Sequence, residues 1–206
     1  MIKRTLRKTL FLLCLLLLLH GCDEPTTPRP RGYFRIDLPQ KAYSQYVSDS
    51  CPFTFKYPVY AEIVRDSLFF GEPVENPCWM DIHFPELGAK VHLSYKPIND
   101  QNNLYKLLED AHKLSFKHTG KAQYIDESLI KNTHGVSGLL YEIGGDAASN
   151  VQFFLTDSVH HYLRGALYFN AIPNEDSLAP VIQFIKQDLQ VMIETFQWVE
   201  KAPSGK

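Results

Sequence analysis

Hydrophobic residues follow a strand-like period in the first half of this chain and then a helical one. Between residues 51 and 95, apolar side chains recur at every second position, as in Phe53, Phe55 and Tyr57. This period predicts a meander of half-buried strands. Over residues 102–119 the apolar positions fall three and four residues apart, which predicts an amphipathic helix capped by Asn99 or Asp100.

A second block of strand patterns follows this helix, and a second helix ends the pattern. The strand patterns cover residues 122–130, 136–143, 151–156 and 162–169. The second helix is predicted over 177–197, with Asp176 and Ser177 as capping residues and an apolar stripe that ends at Phe196. This order predicts the α+β class, a mostly antiparallel sheet covered by two main helices, as in domains of the Mog1/PsbP type.

The N-terminus has the pattern of an export signal. Four basic residues precede an unbroken apolar run, Leu10–Leu19, and Cys22 follows Gly21. A helix of that length covers about 15 Å, about half of a bilayer's hydrocarbon core. The pattern therefore predicts a cleaved leader, and the cysteine after the small residue resembles a bacterial lipoprotein signal, in which Cys22 receives the lipid. An ordinary secreted protein with an incidental cysteine is the alternative.

The remaining chain divides into segments of different composition. Residues 1–21 form the predicted signal peptide, and 22–31 form the acylated cysteine with a proline-rich tether. The aromatic segment 32–50 is predicted to be an extended arm, which either packs on the domain's own core or docks on a partner. A single globular domain is predicted over 51–200, and 201–206 form a tail.

Charge and cysteine content narrow the functional classes. Without the leader's four basic residues the chain has 17 basic against 23 acidic residues, a formal charge of −6, so a basic face for nucleic acid is not expected. Cys51 and Cys78 remain as a pair in an exported protein. They form either a disulfide, which would stabilise the fold by about 3 kcal/mol, or two buried thiols.

Two possible chemical sites have little support from the sequence. The candidates for a nucleophilic site are Asp157, Ser158, His160 and His161. No G-x-S-x-G turn accompanies them, and polar residues in a hairpin turn explain the stretch. A metal site built from His83, His92 and His161 has no ligand spacing to support it. We therefore predict no catalytic residues, no metal and no cofactor.

Six stretches together resemble one known family. They are PRGYFRIDLP (30–39), CPFTFKYP (51–58), HLSYK (92–96), QFFLTDS (152–158), HYLRGALYF (161–169) and PNEDSLAPVI (173–182). In this order they resemble the gliding-motility lipoprotein GldD family of Bacteroidetes. The resemblance implies an envelope lipoprotein of the gliding apparatus, which is linked to type IX secretion. It implies no catalytic residues, and it supports Cys22 as the acylation site.

These observations predict a non-catalytic interaction or assembly module, anchored by lipid in the cell envelope and facing the periplasm. The sequence is compatible with anchoring in either the inner or the outer membrane. Its predicted partners are the bilayer and other gliding and secretion proteins. The candidate contact residues are Tyr33, Phe34 and Arg35 in the arm and Tyr162, Arg164 and Tyr168 on one face of a strand. The alternative for the strand residues is that their face is exposed to solvent and contacts no partner. The alternative function is an envelope enzyme or small-ligand carrier with a pocket between sheet and helix, which convergent buried His, Asp and Ser side chains would favour.

Overall fold

The computed structural model describes residues 35–65, 68–69, 72–73 and 76–199, which adopt an α+β fold. Its strands in chain order are β1 (Tyr43–Tyr46), β2 (Phe53–Pro58), β3 (Glu62–Arg65), β4 (Leu68–Phe69), β5 (Glu72–Pro73), β6 (Met80–Phe84), β7 (Ala89–Pro97), β8 (Ala122–Lys131), β9 (Ser137–Gly145), β10 (Val151–Thr156), β11 (His161–Phe169) and β12 (Gln197–Trp198). Its two α-helices are α1 (Leu104–Phe116) and α2 (Glu175–Thr195). The predicted class, a mostly antiparallel sheet with two helices, is confirmed.

Seven of the described strands form one antiparallel sheet in the spatial order β3-β6-β7-β11-β10-β9-β8. At its centre β7 pairs with β11, from Ala89 opposite Phe169 to Pro97 opposite His161, so the two predicted strand blocks meet there. The prediction that all strands of residues 51–95 form one meander is wrong for β2. That strand leaves the large sheet and pairs with β1 and β12, because its aromatic face packs with Phe196 after the last helix.

Helix α1 is shorter than the predicted 102–119, because Lys117–Gly120 continue as a 3-10 turn. Its N-cap is Asn103, whose side chain accepts a hydrogen bond from the backbone N–H of Tyr105. The prediction of Asn99 or Asp100 as the cap was wrong. The Asn99 side chain instead accepts N–H groups in the turn that precedes the helix.

Helix α2 begins and ends two residues earlier than predicted. Its cap is Asn174, whose side chain accepts the N–H of Ser177 at 2.9 Å. Asp176 and Ser177, the predicted caps, therefore lie within the first turn. Phe196 follows the helix with extended backbone and is fully buried. Neither helix of the described chain is long and apolar enough to cross a membrane.

The large sheet is covered on both faces. One face contributes Met80, Leu93 and Leu163 to the main core, in which α2 places Ile185 and Leu189. Helix α1 packs against the opposite face, where the buried side chains include polar residues such as Gln152. Because sheet residues alternate between faces, each central strand supplies the main apolar core on one side and a mixed layer of polar and apolar side chains under α1 on the other.

The described part of the predicted arm is fastened to the domain. Strand β1 pairs with β2, and Tyr46 is buried in the main core. Lys41 reaches α2, where its ammonium donates to the Asp188 carboxylate and to the Phe184 carbonyl, both at 2.7 Å. From Lys41 onward the segment therefore packs on the domain itself, one of the two arrangements expected from the sequence.

Cys51 and Cys78 are joined by a disulfide with a Cα–Cα distance of 5.5 Å. Both residues are buried. The bond links the start of β2 to the segment before β6, and so it connects the small sheet with the large one.

Candidate functional site

The predicted contact residues of the arm fall mostly outside the described part of the chain. Tyr33 and Phe34 lie outside it, and so does the acylation site Cys22. Arg35 is the first described residue and is exposed. That the arm contacts a partner protein therefore stays a prediction.

The strand-face residues do not form an exposed surface. Tyr162 is only 3% exposed, and its hydroxyl donates to the Leu107 carbonyl of α1 at 3.2 Å. The prediction that Tyr162 contacts a partner was wrong, because α1 covers this face of the sheet. Arg164 is half-buried beneath the same helix, and Tyr168 is half-buried opposite Lys90 of β7.

The polar stretch between β10 and β11 is a tight turn. The Asp157 carboxylate accepts the backbone N–H groups of Val159, His160 and His161 at 2.8 to 3.0 Å. Partial burial acts to raise the pKa of Asp157, but these hydrogen bonds outweigh it and lower that pKa. Ser158 has φ of 66° in this turn. The carboxylate is thus engaged in holding the turn rather than in orienting a histidine toward a serine.

The three histidines weighed as metal ligands are not brought together. His92 hydrogen-bonds Asp81 through Nδ1 at 2.8 Å on the α1 side of the sheet. His161 contacts the Tyr95 hydroxyl at 2.8 Å on the opposite face, and burial lowers its pKa. His83 is opposite Lys90 in the sheet. The described residues contain no cluster of three or more His, Cys, Asp or Glu side chains suited to a metal ion.

A groove of about 890 Å³ runs between α2 and the β8–β9 hairpin. We call it the α2 groove. Its apolar lining comes from both sides and includes Ile130, Leu140, Leu189 and Ile193. Its polar lining is rich in side-chain amides, and those of α2 are Gln183, Gln187 and Gln190. Their i, i+4, i+7 spacing places them along one side of the helix.

The charged side chains of the α2 groove interact with other side chains of the same groove. Lys186 of α2 forms an ion pair with Glu142 of β9. Burial lowers the pKa of Lys186. Glu194 accepts a hydrogen bond from Gln190 at 2.9 Å. With Lys131 included, the described part of the groove's lining has two lysines and two glutamates, a formal charge of zero.

The outer wall of the groove is the edge of the large sheet. Strand β8 pairs with β9 on one side, and no described strand pairs with its other side. Leu129 in this strand is 90% exposed. A long edge strand with an exposed large apolar side chain is a site where another chain can add a strand.

Comparison with known proteins supplies the family. The family model described as gliding motility lipoprotein GldD matches residues 23–198. The chain belongs to this family. Its membership supports a lipoprotein of the cell envelope with a role in gliding motility. Among the curated proteins, none matches the chain.

Among the solved structures that are similar in outline to this GldD-family chain is the solution structure of cyanobacterial PsbP (CyanoP) from Synechocystis sp. PCC 6803, with 12% sequence identity and a TM-score of 0.45. The similarity covers 80% of this chain and 97% of that one. A likeness of this degree carries no information about function.

The α2 groove of this GldD-family chain is lined mainly by apolar side chains, amides, lysines and glutamates. Among the lining residues that the structure describes there is no histidine, cysteine, serine or aspartate. Its two carboxylates are engaged with Lys186 and Gln190. Apolar side chains, amides and an open strand edge suit the binding of a polypeptide more than bond chemistry. The sequence analysis considered a pocket between sheet and helix but named none of these lining residues, although the amide spacing on α2 was a signal for them.

Proposed function

We propose that this protein is a lipid-anchored, non-catalytic component of the gliding-motility and type IX secretion machinery of a Bacteroidetes bacterium. It faces the periplasm and is held at the membrane by acyl chains on Cys22, palmitate among them. It binds and stabilises another envelope protein of that machinery through the α2 groove and the edge of β8.

The observation that carries this proposal is the junction of the groove with the open strand edge. An extended segment of a partner can add to β8 through backbone hydrogen bonds and place alternate side chains in the groove. The described lining residues have no net charge, and their amides both donate and accept hydrogen bonds. The occupant that fits is therefore an extended segment with uncharged polar and apolar side chains.

The lipid anchor contributes to such binding without making any contact. Acyl chains bury many methylenes at about 0.8 kcal/mol each, so attachment by several chains is effectively permanent. A protein confined to a layer beside the membrane meets its neighbours at a raised effective concentration. A groove of modest affinity is then sufficient for a stable envelope complex.

The proposal is tested by a single charge at the strand edge. Leu129→Asp places a carboxylate on the open edge strand that borders the groove, and it should leave the fold intact because the side chain is 90% exposed. Tyr105→Asp is the matched control, since Tyr105 is 76% exposed on α1, away from the groove. We expect Leu129→Asp to reduce both gliding and recovery of motility or secretion proteins from native envelope, and Tyr105→Asp to change neither. Equal behaviour of the two variants would contradict the proposal.

The volume of the groove also suits a small-ligand carrier. At about 890 Å³ it lies within the roughly 300–1,000 Å³ of small-molecule sites. Native mass spectrometry of the purified lipoprotein distinguishes the two functions. A co-purifying small molecule that is lost in Leu129→Asp would favour the carrier, whereas a co-purifying protein lost in that variant would favour the assembly module.

A further inference from the structure

The two edges of the large sheet differ in length. Strand β3 at one edge has four residues, whereas β8 at the other edge has ten. A short edge strand offers few backbone groups to another chain, and a long one offers many. Among the described strands, none covers the outer side of β8. The edge of β8 is therefore the place where this sheet can be extended.

Three side chains on one face of β8 are exposed at this edge. They are Glu127, Leu129 and Lys131, which share a face because they lie two residues apart. The face is the one toward α1, since Glu127 is opposite the buried Tyr141 of β9 and its carboxylate lies 3.7 Å from His112 of α1. Glu127 nevertheless keeps 39% of its side chain exposed, and Leu129 is 90% exposed. Along the strand this row is acidic, apolar and then basic.

Symmetry restricts how two copies of β8 can pair with each other. In an antiparallel pair, residues opposite each other direct their backbone groups in the same way, and that direction alternates along each strand. Two identical strands related by a two-fold axis can therefore be centred on a residue but not between two residues. The regular part of β8 is Ile125–Lys131, because its pairing with β9 shifts between Ala122 and Ile125. The centres to compare within this part are residues 126 to 130.

Most of these centres are unfavourable or neutral for the charged residues of β8. A centre at residue 126 or 127 places two identical carboxylates opposite each other. Like charges directly opposite each other destabilise a strand pair. A centre at residue 128 or 130 places each charged residue of the paired part opposite an uncharged one. Neither of these two groups of centres gains from the charges.

The remaining centre, residue 129, makes the row complementary to itself. Lys131 of each copy is then opposite Glu127 of the other copy, which forms two pairs of opposite charge. The two Leu129 side chains lie opposite each other between these pairs and cover one another from water. Charge complementarity thus selects a second copy of this chain as the occupant of the edge, and it selects one register for it.

We infer that β8 pairs antiparallel with β8 of a second copy, with Leu129 at the two-fold axis. The dimer continues the seven-stranded sheet of one copy into that of the other and covers both β8 edges. Because each copy contributes the same patch, the contact closes and does not propagate through β8. Copies held at one membrane surface meet at a raised effective concentration, which favours this pairing.

The dimer uses the same edge that the proposed function gives to a partner's segment. A second copy keeps the edge covered until such a segment replaces it, and this consequence rests on the proposed function. The pairing itself does not rest on it, because it follows from the exposed row of β8 and needs no other protein.

The test of the register is disulfide formation between copies of the full lipidated chain in phosphatidylethanolamine vesicles. In the inferred register the two Leu129 Cβ atoms are about 4.5–5.5 Å apart, close to the spacing of about 3.5–4.5 Å in a disulfide. Cys51 and Cys78 are already bonded to each other. Leu129→Cys should give a linked dimer about tenfold faster than Ser128→Cys, the matched control at the neighbouring exposed position. Equal rates, a faster Ser128→Cys, or no linked dimer would overturn the inference.

Charge reversal tests the two ion pairs in the Leu129→Cys background. Lys131→Glu and Glu127→Lys each place like charges opposite each other, so each variant alone should lose the linked dimer. A mixture of the two variants restores both pairs, and so does one chain with both changes, so linking should return in each case. Lys56→Glu is the matched control, because it makes the same charge change at an exposed residue of β2. Misfolding cannot produce this recovery, and its absence in both cases would refute the dimer.

The outcomes separate this inference from the proposed function. If Leu129→Cys gives no linked dimer while Leu129→Asp still reduces recovery of a motility or secretion protein, the dimer is refuted and the proposed function stands. If linking follows the charges while Leu129→Asp and Tyr105→Asp recover the same proteins, the dimer stands and the proposed function fails. A photocrosslink from position 129 to residues 22–34 or 200–206 in protein of monomer mass would identify the chain's own ends as the occupant and would overturn the dimer.

Discussion

The Lys41 ammonium lies 2.7 Å from the Asp188 carboxylate, which joins the beginning of the described chain to its last helix. Asp188 is 2% exposed and accepts two further hydrogen bonds, from the hydroxyls of Tyr43 at 2.9 Å and Tyr60 at 2.7 Å. Burial and then the hydrogen bond to Asp188 raise the pKa of Tyr43 to about 12. Three donors thus compensate one buried charge and hold the arm, the small sheet and α2 together.

Removal of this charge should destabilise the protein strongly. Asp188→Asn leaves the Lys41 ammonium without its carboxylate, and breaking a buried pair typically costs about 3–5 kcal/mol. Because Lys41 is partly exposed, we expect a loss near the lower end of that range in urea unfolding. Glu109→Gln is the matched control, since it breaks an ion pair with the exposed Lys113 that solvent screens, and it should change stability little. Comparable losses in the two variants would show that the Asp188 cluster is not a main anchor.

The disulfide should persist in the exported protein. We predict that neither Cys51 nor Cys78 reacts with a thiol reagent when the chain is denatured without reductant. Replacing both by alanine should lower the free energy of unfolding by about 3 kcal/mol, because the bond closes a loop with a sequence separation of 27. Peptide mapping that finds both thiols labelled in protein from native envelope would contradict the prediction.

Mild acid should destabilise the fold through two half-buried histidines. Burial lowers the pKa of His161, and burial with the charge of Arg164 lowers that of His118. Since the unfolded chain takes up these protons near about pH 6.5, stability is fully present above that pH and decreases as the pH falls below it. Urea unfolding of the wild type and of His161→Gln between about pH 7.5 and about pH 5.5 measures this. His161→Gln should show the weaker pH dependence, and an unchanged one would count against the assignment.

Much of the fold follows from local patterns in the sequence. The alternation of Phe53 and Phe55, and the long apolar stripe of α2, give the elements and their buried faces. The cap of α1 does not follow in the same way, because Asn99 and Asn103 are chemically equivalent candidates. Only the backbone conformation beside each asparagine decides between turn and cap.

The functional surfaces could not be predicted, because they depend on contacts between distant parts of the chain. Tyr162 alternates with core residues as an exposed side chain would, yet α1 covers it. Asp188 occupies a polar position of α2 and is nevertheless buried by donors from the arm. The α2 groove exists only because β8 lies at the sheet edge beside Gln187 and Gln190. Strand order is a property of the whole fold, and alternation within one strand does not specify it.

Lipid attachment at Cys22 should keep the protein in the membrane fraction of the cell envelope. Cys22→Ala removes the acylated thiol, so the exported chain should move from the membrane fraction to the soluble fraction of the envelope. The measurement is fractionation followed by immunoblotting, with Cys51→Ala as the control that changes a cysteine without removing the anchor. A Cys22→Ala protein that stays with the membrane would contradict anchoring by lipid.

The most direct measurement is site-specific photocrosslinking in intact cells from position 129, with Cys22 unchanged. Position 105 is the control, because its tyrosine is exposed on α1 away from the α2 groove. The account predicts a defined adduct from position 129 with one gliding or secretion protein, and no such adduct from position 105. No adduct from position 129, or the same set of adducts from both positions, would contradict the central claim that this groove holds a partner of the envelope machinery.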